Sequence, residues 1–152
     1  MVAKSLSRNK IAFGRAALLA TDSVGMSAEG AFWLYDDKEK VWRFFFVTSL
    51  FDKIGPREIY LRLNRSLSRK LSAREAKNFA FYISDPKDKF VKELYKHVHT
   101  TVHASEAIET SFGANGHRIK AHVYRMAPKM PGEKVKLAQR RFRKLSSELG
   151  VV

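Results

Sequence analysis

Two segments of the chain carry arginines and lysines at a spacing that suits binding to phosphate groups. Residues 56–70 contain five Lys and Arg and one acid, and residues 128–144 contain seven Lys and Arg and one acid. In both segments the basic residues recur at helical spacing on the side opposite an apolar stripe. Arginine presents a planar fork of donors that matches phosphate oxygens, so these faces indicate contact with a polyanion.

A third basic segment covers residues 118–125, where Arg118 and Lys120 alternate with apolar residues as on a strand. If the three segments adjoin in the folded chain, they form a positive surface suited to a nucleic-acid backbone. No RNP-like aromatic strand, GXXG loop or Cys/His finger accompanies them, so we expect backbone contact with weak sequence preference and no catalysis. The predicted contact residues are Arg62, Arg65, Arg69, Arg118, Lys120, Lys136, Arg140, Arg143 and Lys144.

A histidine cluster gives an alternative chemistry. His97, His99 and His103 share one face of a strand, or His99 and His103 are neighbours on a helix, and Glu106 follows. Either geometry is compatible with a metal such as zinc, although Thr100 after His99 excludes the HExxH pattern. The plainer interpretation puts the first two histidines beside the last carbonyls of a helix. A metal-dependent hydrolase or nuclease is therefore the second alternative function, and the leading interpretation needs no cofactor.

Other chemistries lack their sequence signatures. The chain has no cysteine, which excludes disulfides, thiol nucleophiles and cysteine-based zinc sites. It has no P-loop, no GxGxxG turn and no nucleophile elbow around its serines. Asp36 and Asp37 are adjacent, so they point apart and are typical of a polar turn between strands.

The periodicity of apolar residues predicts the elements that carry these groups. It predicts helices over residues 11–24, 55–70, 86–98 and 133–149, a short helical or irregular segment over 71–78, and strands over 31–35, 41–48, 79–84, 107–112 and 118–126. Asp85 is the expected N-cap before Pro86, and residues 113–116 are the expected turn of the second hairpin. Two hairpins joined through helices predict an α+β fold with a mainly antiparallel sheet of about five strands.

The sequences of two strands predict which of their side chains are buried. Phe44, Phe45 and Phe46 put large apolar groups on both faces of a strand, so helices must cover both faces or a second subunit must cover one. The hairpin over 31–48 therefore suggests the other alternative function, a homodimer or assembly subunit of a larger complex. In the strand over 118–126, alternation predicts that His122 and Tyr124 share a wet face with the basic residues.

The overall composition sets the class of protein. The formal net charge is +14 on 152 residues, whereas 45% hydrophobic and 12% aromatic residues supply a core. We expect a single domain over 1–152, with a basic arm over 1–10 and a basic C-terminal helix. The acid-free start also resembles a transit peptide in composition, but no cleavage signal marks it, and we expect a cytoplasmic protein without membrane contact.

Overall fold

The structure is a computed structural model that describes residues 5–71, 80–100, 106–114 and 117–150. Its elements in chain order are α1 (Arg8–Ser23), β1 (Gly30–Asp36), β2 (Val41–Val47), α2 (Phe51–Lys70), β3 (Phe81–Ser84), α3 (Lys89–His97), β4 (Ile108–Ala114), β5 (His117–Met126) and α4 (Gly132–Gly150). The predicted α+β class is confirmed. The helical segment predicted over 71–78 falls almost wholly outside the described residues, as do Asn115 and Gly116 of the predicted turn.

The strands of the described residues form one sheet in the order β3-β2-β1-β5-β4. The pairs β1–β2, β1–β5 and β4–β5 are antiparallel, but β2 and β3 are parallel. The sheet is therefore mixed, and the prediction of a mainly antiparallel sheet is wrong in this respect. Helix α2 connects β2 to β3. A strand that follows such a helical crossover pairs with the preceding strand in the same direction.

Helices of the same chain cover both faces of the sheet. Phe44 and Phe46 point to the first face, where they pack with residues of α1, α2 and α4 such as Leu63 and Phe142. Phe45 points to the second face, which is covered by the short helix α3 through Val91, Leu94 and the residues around them. The two-sided burial predicted for β2 is thus met by two helical layers.

A bulge in β5 changes which side chains reach the core. Ala31 of β1 pairs with Arg125 and Phe32 pairs with Val123, which leaves Tyr124 as the additional residue. Tyr124 and Arg125 consequently both serve the first face. The Tyr124 hydroxyl donates to the carbonyl of Ile11 at 2.5 Å, and burial raises the pKa of Tyr124 to about 12.

The same strand overturns the predicted wet face. Tyr124 and His122 are 1% and 7% exposed, because α1 covers this part of the first face. Arg125 is also buried, and its guanidinium donates to both carboxylate oxygens of Asp22 at 2.9 and 2.8 Å and to the carbonyl of Ala28. The bidentate geometry compensates the buried charge and fixes the end of α1 to the sheet.

Two helix starts follow the local sequence in different ways. Gly55 adopts φ 81°, which breaks α2 after one turn, and Pro56 opens the long part of the helix as predicted. Before α3 the predicted cap is wrong, because Asp88 accepts the N–H of Phe90 as N-cap. Asp85 instead accepts the N–H of Lys87 and closes a turn. Among the described residues, no helix has the length and apolar character required to cross a membrane.

We expect Gly14→Ala to destabilise the protein. An added Cβ would lie 2.6 Å from the Tyr124 hydroxyl and 2.8 Å from Nε1 of Trp33, two buried side chains joined by a hydrogen bond. An overlap this close with two buried rings puts the cost near the upper end of the usual range, at about 3 kcal/mol, which exceeds the gain of about 1 kcal/mol in helix propensity. Urea denaturation measures the difference.

Gly132→Ala is the matched control for that substitution, because an added Cβ at this helical position meets nothing within 4 Å. We expect it to leave the free energy of unfolding unchanged or slightly raised. Equal stability of Gly14→Ala and the unmodified protein would contradict the described packing of α1 on the sheet.

Candidate nucleic-acid interface

Helices α2 and α4 lie side by side and run in the same direction. Lys53 borders the first turns of α4, Glu58 contacts Arg143, and Arg62 contacts Ser146 and Ser147. The contacts advance together along both helices, which defines a parallel pair. The basic faces predicted separately on the two helices therefore adjoin, and we call their combined surface the α2–α4 face.

Seven of the nine predicted contact residues belong to the α2–α4 face. Arg65 and Arg69 follow Arg62 by three and seven residues, so the three arginines share one side of α2. The members on α4 share a side in the same way and are Lys136, Arg140, Arg143 and Lys144. The two helices carry twelve Lys and Arg against four Asp and Glu, a formal excess of eight positive charges.

One carboxylate holds the two helices together within this positive field. Glu58 accepts from Nε of Arg62 at 2.9 Å and from Nε of Arg143 at 3.0 Å. The hydrogen bonds and positive charge of these guanidiniums, that of Arg143 first, hold the pKa of Glu58 below its ordinary value. Arg62 also donates to the hydroxyls of Ser146 and Ser147, so it is half-buried between the helices rather than solvated as its helical position predicts.

A groove opens on the same surface beside the first turns of both helices. It has a volume of about 470 Å³ and lies between Lys53 of α2 and Lys136 and Arg140 of α4, with Glu133 at one end. The three cations are exposed and form no ion pair with a carboxylate of the described residues. Within the described residues, the positive charge at this groove is thus not neutralised by a carboxylate in an ion pair.

The other two predicted contact residues lie elsewhere. Arg118 is at the start of β5 and donates to the hydroxyl of Ser111 on β4 at 2.9 Å. Lys120 borders a pocket of about 380 Å³ with Trp42 and His122. Strand β5 is separated from β2 and β3, the strands nearest α2, by β1. Arg118 and Lys120 thus belong to a second, smaller basic surface around the β4–β5 hairpin.

The histidine cluster is only partly described. His97 ends α3 and stacks on Phe112, with ring centroids 4.1 Å apart, and His99 lies against Tyr95. Glu106 is exposed, and His103 falls outside the described residues. Within the part of the chain that the structure describes, no three His, Cys, Asp or Glu side chains are grouped as a metal site would require.

The local sequence does not predict three features of these surfaces. Glu58 counts there only as an acid in a basic segment, although its i,i+4 spacing to Arg62 indicates a pair. Lys53 is predicted to precede the helix, but it lies in the turn of α2 before Gly55. His122, away from the α2–α4 face, is predicted to be solvated, but its Nδ1 lies 3.4 Å from Glu109 and its Nε2 is buried without a hydrogen-bond partner in the described residues.

We expect Glu58→Gln to lower the free energy of unfolding by about 1 kcal/mol, since the carboxylate is partly exposed but shared by two guanidiniums. A carboxyl whose pKa is lowered by folding contributes stability above its unfolded pKa and loses it as the pH falls. The difference from the unmodified protein should therefore be constant near neutral pH and shrink below about pH 4.5. Urea denaturation over a pH series measures it.

Glu39→Gln is the control for Glu58→Gln, because Glu39 is exposed in the β1–β2 turn and its side chain has no described ion pair. Its effect should be within about 0.5 kcal/mol at every pH. A stability loss for Glu58→Gln that persists at low pH would contradict the assignment to the two ion pairs.

We expect His122→Phe to raise the free energy of unfolding by about 1 kcal/mol, because it removes a buried polar atom that has no hydrogen-bond partner. The ring is 7% exposed, and it borders a pocket of about 380 Å³ that gives room for the larger ring of phenylalanine. Glu109→Gln, which alters only the exposed member of the contact, is the companion variant and should change little. A loss of several kcal/mol with His122→Phe in thermal or urea unfolding would show that Nε2 has a partner in solution.

Comparisons of the chain with models of known protein families, with curated proteins and with solved structures find no match.

Proposed function

We propose that the protein is a small binding module that engages the phosphate backbone of nucleic acid through the α2–α4 face. The single observation that carries the proposal is the parallel packing of α2 on α4, since it combines two basic helix faces into one surface. A field of this sign attracts polyanions and accelerates their encounter with the protein.

The kinds of residue on this face favour phosphate over an isolated carboxylate. Five of its seven predicted members are arginines, whose planar donors bind phosphate oxygens in pairs. The groove between Lys53 and Arg140 gives the backbone a path along the two helices. Because the contacts reach phosphates and not base edges, they fix position on the strand and carry little sequence information.

Glu58 limits the number of cations that bind directly. It pairs with Arg62 and Arg143, so these guanidiniums are already occupied in the free protein. Direct contacts then fall to the exposed cations of the face, chiefly Lys53, Lys136 and Arg140 around the groove. The smaller basic surface around Arg118 and Lys120 is not part of the proposed contact.

The alternative functions lack a described feature that favours them. The assembly subunit was suggested by the two-sided apolar strands β1 and β2, whose faces are covered by helices of the same chain. The metal-dependent hydrolase depends on His103, which lies outside the described residues.

We expect steeply salt-dependent binding to short duplex DNA or structured RNA labelled for fluorescence anisotropy. About six phosphate contacts lower the affinity roughly 10³-fold between about 50 and 200 mM salt, through counterion release. Lys136→Ala with Arg140→Ala removes two of the contacts and should reduce the slope of log affinity against log salt by about two on duplex DNA. A flat salt response would refute the proposal.

Two controls assign that binding to the α2–α4 face. Lys38→Gln with Lys89→Gln removes two exposed charges elsewhere and should leave the slope unchanged. Glu58→Gln releases Arg62 and Arg143 and should tighten binding several-fold at low salt. If the control pair reduces the slope as much as Lys136→Ala with Arg140→Ala, the interaction reports net charge rather than this face.

A further inference from the structure

A cleft of about 480 Å³ lies beside α3, at one end of the second face of the sheet. Its inner surface is mainly apolar and is formed by Val47 of β2, Met126 of β5 and Val91 of α3. The volume lies within the range of about 300–1,000 Å³ that is usual for small-molecule sites. Helix α3 has only nine residues, which is why it covers the middle of this face and leaves a space at its end.

The walls of the cleft are held in place before any ligand binds. Pro86 stands before α3 and Pro128 follows β5, and each has a fixed backbone φ. Between them, the buried carboxylate of Glu29 accepts the N–H of Ser49 at 2.9 Å, the Ser49 hydroxyl, and the N–H of Met130 at 3.1 Å. A cleft whose walls are already ordered does not require ordering of side chains and loops on binding.

Lysines surround the opening of this apolar cleft. Lys87 pairs with Asp52 and Lys96 pairs with Glu93, so both of these charges are partly neutralised. Lys92 and Lys129 also line the cleft and form no ion pair with a carboxylate of the described residues. Glu29 is the acid in the lining, and its charge is engaged by three donors on the inner wall.

We propose that this cleft binds a small free amphiphile with an apolar body and one carboxylate or phosphate group. The apolar body fills the space over Val47, Val91 and Met126, and the anionic group lies at the opening between Lys92 and Lys129. A neutral apolar molecule would leave Lys92 and Lys129 without a close ion pair, although the charge of Lys129 also acts on Asp52 from a longer distance, and a small hydrated anion would leave the apolar walls empty. The proposal is independent of nucleic-acid binding at the α2–α4 face.

The test measures binding of an alkyl series to the full chain by calorimetry. We expect decanoate and decyl phosphate to bind, and octanoate to bind more weakly by about fourfold for each methylene removed. Decylammonium should bind at least about tenfold more weakly than decanoate, since it loses both attractions to lysine, and acetate and inorganic phosphate should not bind measurably. Equal binding of decanoate and decylammonium would overturn the proposal, and so would binding to vesicles of anionic phospholipid without binding of free decanoate or decyl phosphate.

Variants and methyl NMR localise the ligand. Lys92→Gln with Lys129→Gln should weaken decanoate roughly threefold to fivefold per lysine, since an exposed ion pair contributes up to about that factor. The control pair Lys38→Gln with Lys89→Gln, and the pair Lys136→Ala with Arg140→Ala, should leave decanoate binding unchanged.

The methyl signal of Met126 should shift on titration with decanoate, whereas that of Met26, buried in the core of the first face, should not. A shift confined to other methyl groups, or unchanged affinity in the Lys92 and Lys129 variant, would refute the site. Loss of nucleic-acid binding alone would leave this result untouched, so the two proposals fail separately.

Discussion

The structure depends on the burial of both faces of the central strands β1 and β2. Phe44 and Phe46 on one side and Phe45 on the other cannot face water together, so the chain must supply two helical layers. Helix α2 supplies part of the first layer as it crosses from β2 to β3, and the crossover makes that pair parallel. The positions of the α2–α4 face and of the apolar cleft follow from these two helical layers. The α2–α4 face lies on the outside of the first layer, and the cleft lies where the shorter second layer ends.

Two cationic helices packed side by side repel each other, and Glu58 offsets part of this repulsion. Guanidiniums of Arg62 and Arg143 approach the same carboxylate, so an attraction replaces what would be a repulsion between the helices. The remaining positive charge cannot be buried without partners and stays at the surface. Self-repulsion of this charge opposes the compact state of the protein, and the proposed polyanion would relieve that repulsion. Glu58 holds the helices together by pairing with Arg62 and Arg143. It therefore does not neutralise the cations around the groove, such as Lys53 and Arg140.

Local patterns predicted the elements well, because they depend on neighbours within a few residues. The stripe of Ile59, Leu63 and Leu67 on α2 is buried as its spacing predicts. Sheet order was not accessible in this way, since β1 pairs with β5 some ninety residues later. The bulge at Tyr124 shows the same limit, because it moves Arg125 onto the face that Tyr124 occupies. Strict alternation places Tyr124 and His122 in solvent, but the segment that covers this face is set by tertiary contacts.

In the candidate site, too, the local patterns were predictable from the sequence and the tertiary contacts were not. Helical spacing correctly grouped the basic residues within each helix, but only the tertiary packing of α2 on α4 makes the groups adjoin. The helical spacing of Arg62 predicts a solvated side chain. The side chain is instead half-buried, because it donates to two serines of α4 that lie about 84 positions later in the chain. Arg118 and Lys120 satisfy the pattern of a basic strand, yet β5 presents them on another part of the surface. Charge patterning along a chain therefore indicates that a basic surface exists, but not which segments share it.

The two surfaces use cations of different kinds, and this difference has a physical basis. The α2–α4 face is rich in arginine, whose rigid fork matches the oxygens of a phosphate group. The opening of the cleft contains lysines and no arginine among its described residues. A lysine stem is apolar along its length, so Lys92 and Lys129 extend the apolar wall while their ammonium groups remain hydrated at the opening. An arginine fork there would favour flat bidentate partners. A lysine ammonium is a point charge that can donate to a carboxylate or a phosphate in any orientation. The same excess of positive charge would therefore support both proposed kinds of anion recognition, one along two helices and one above an apolar floor.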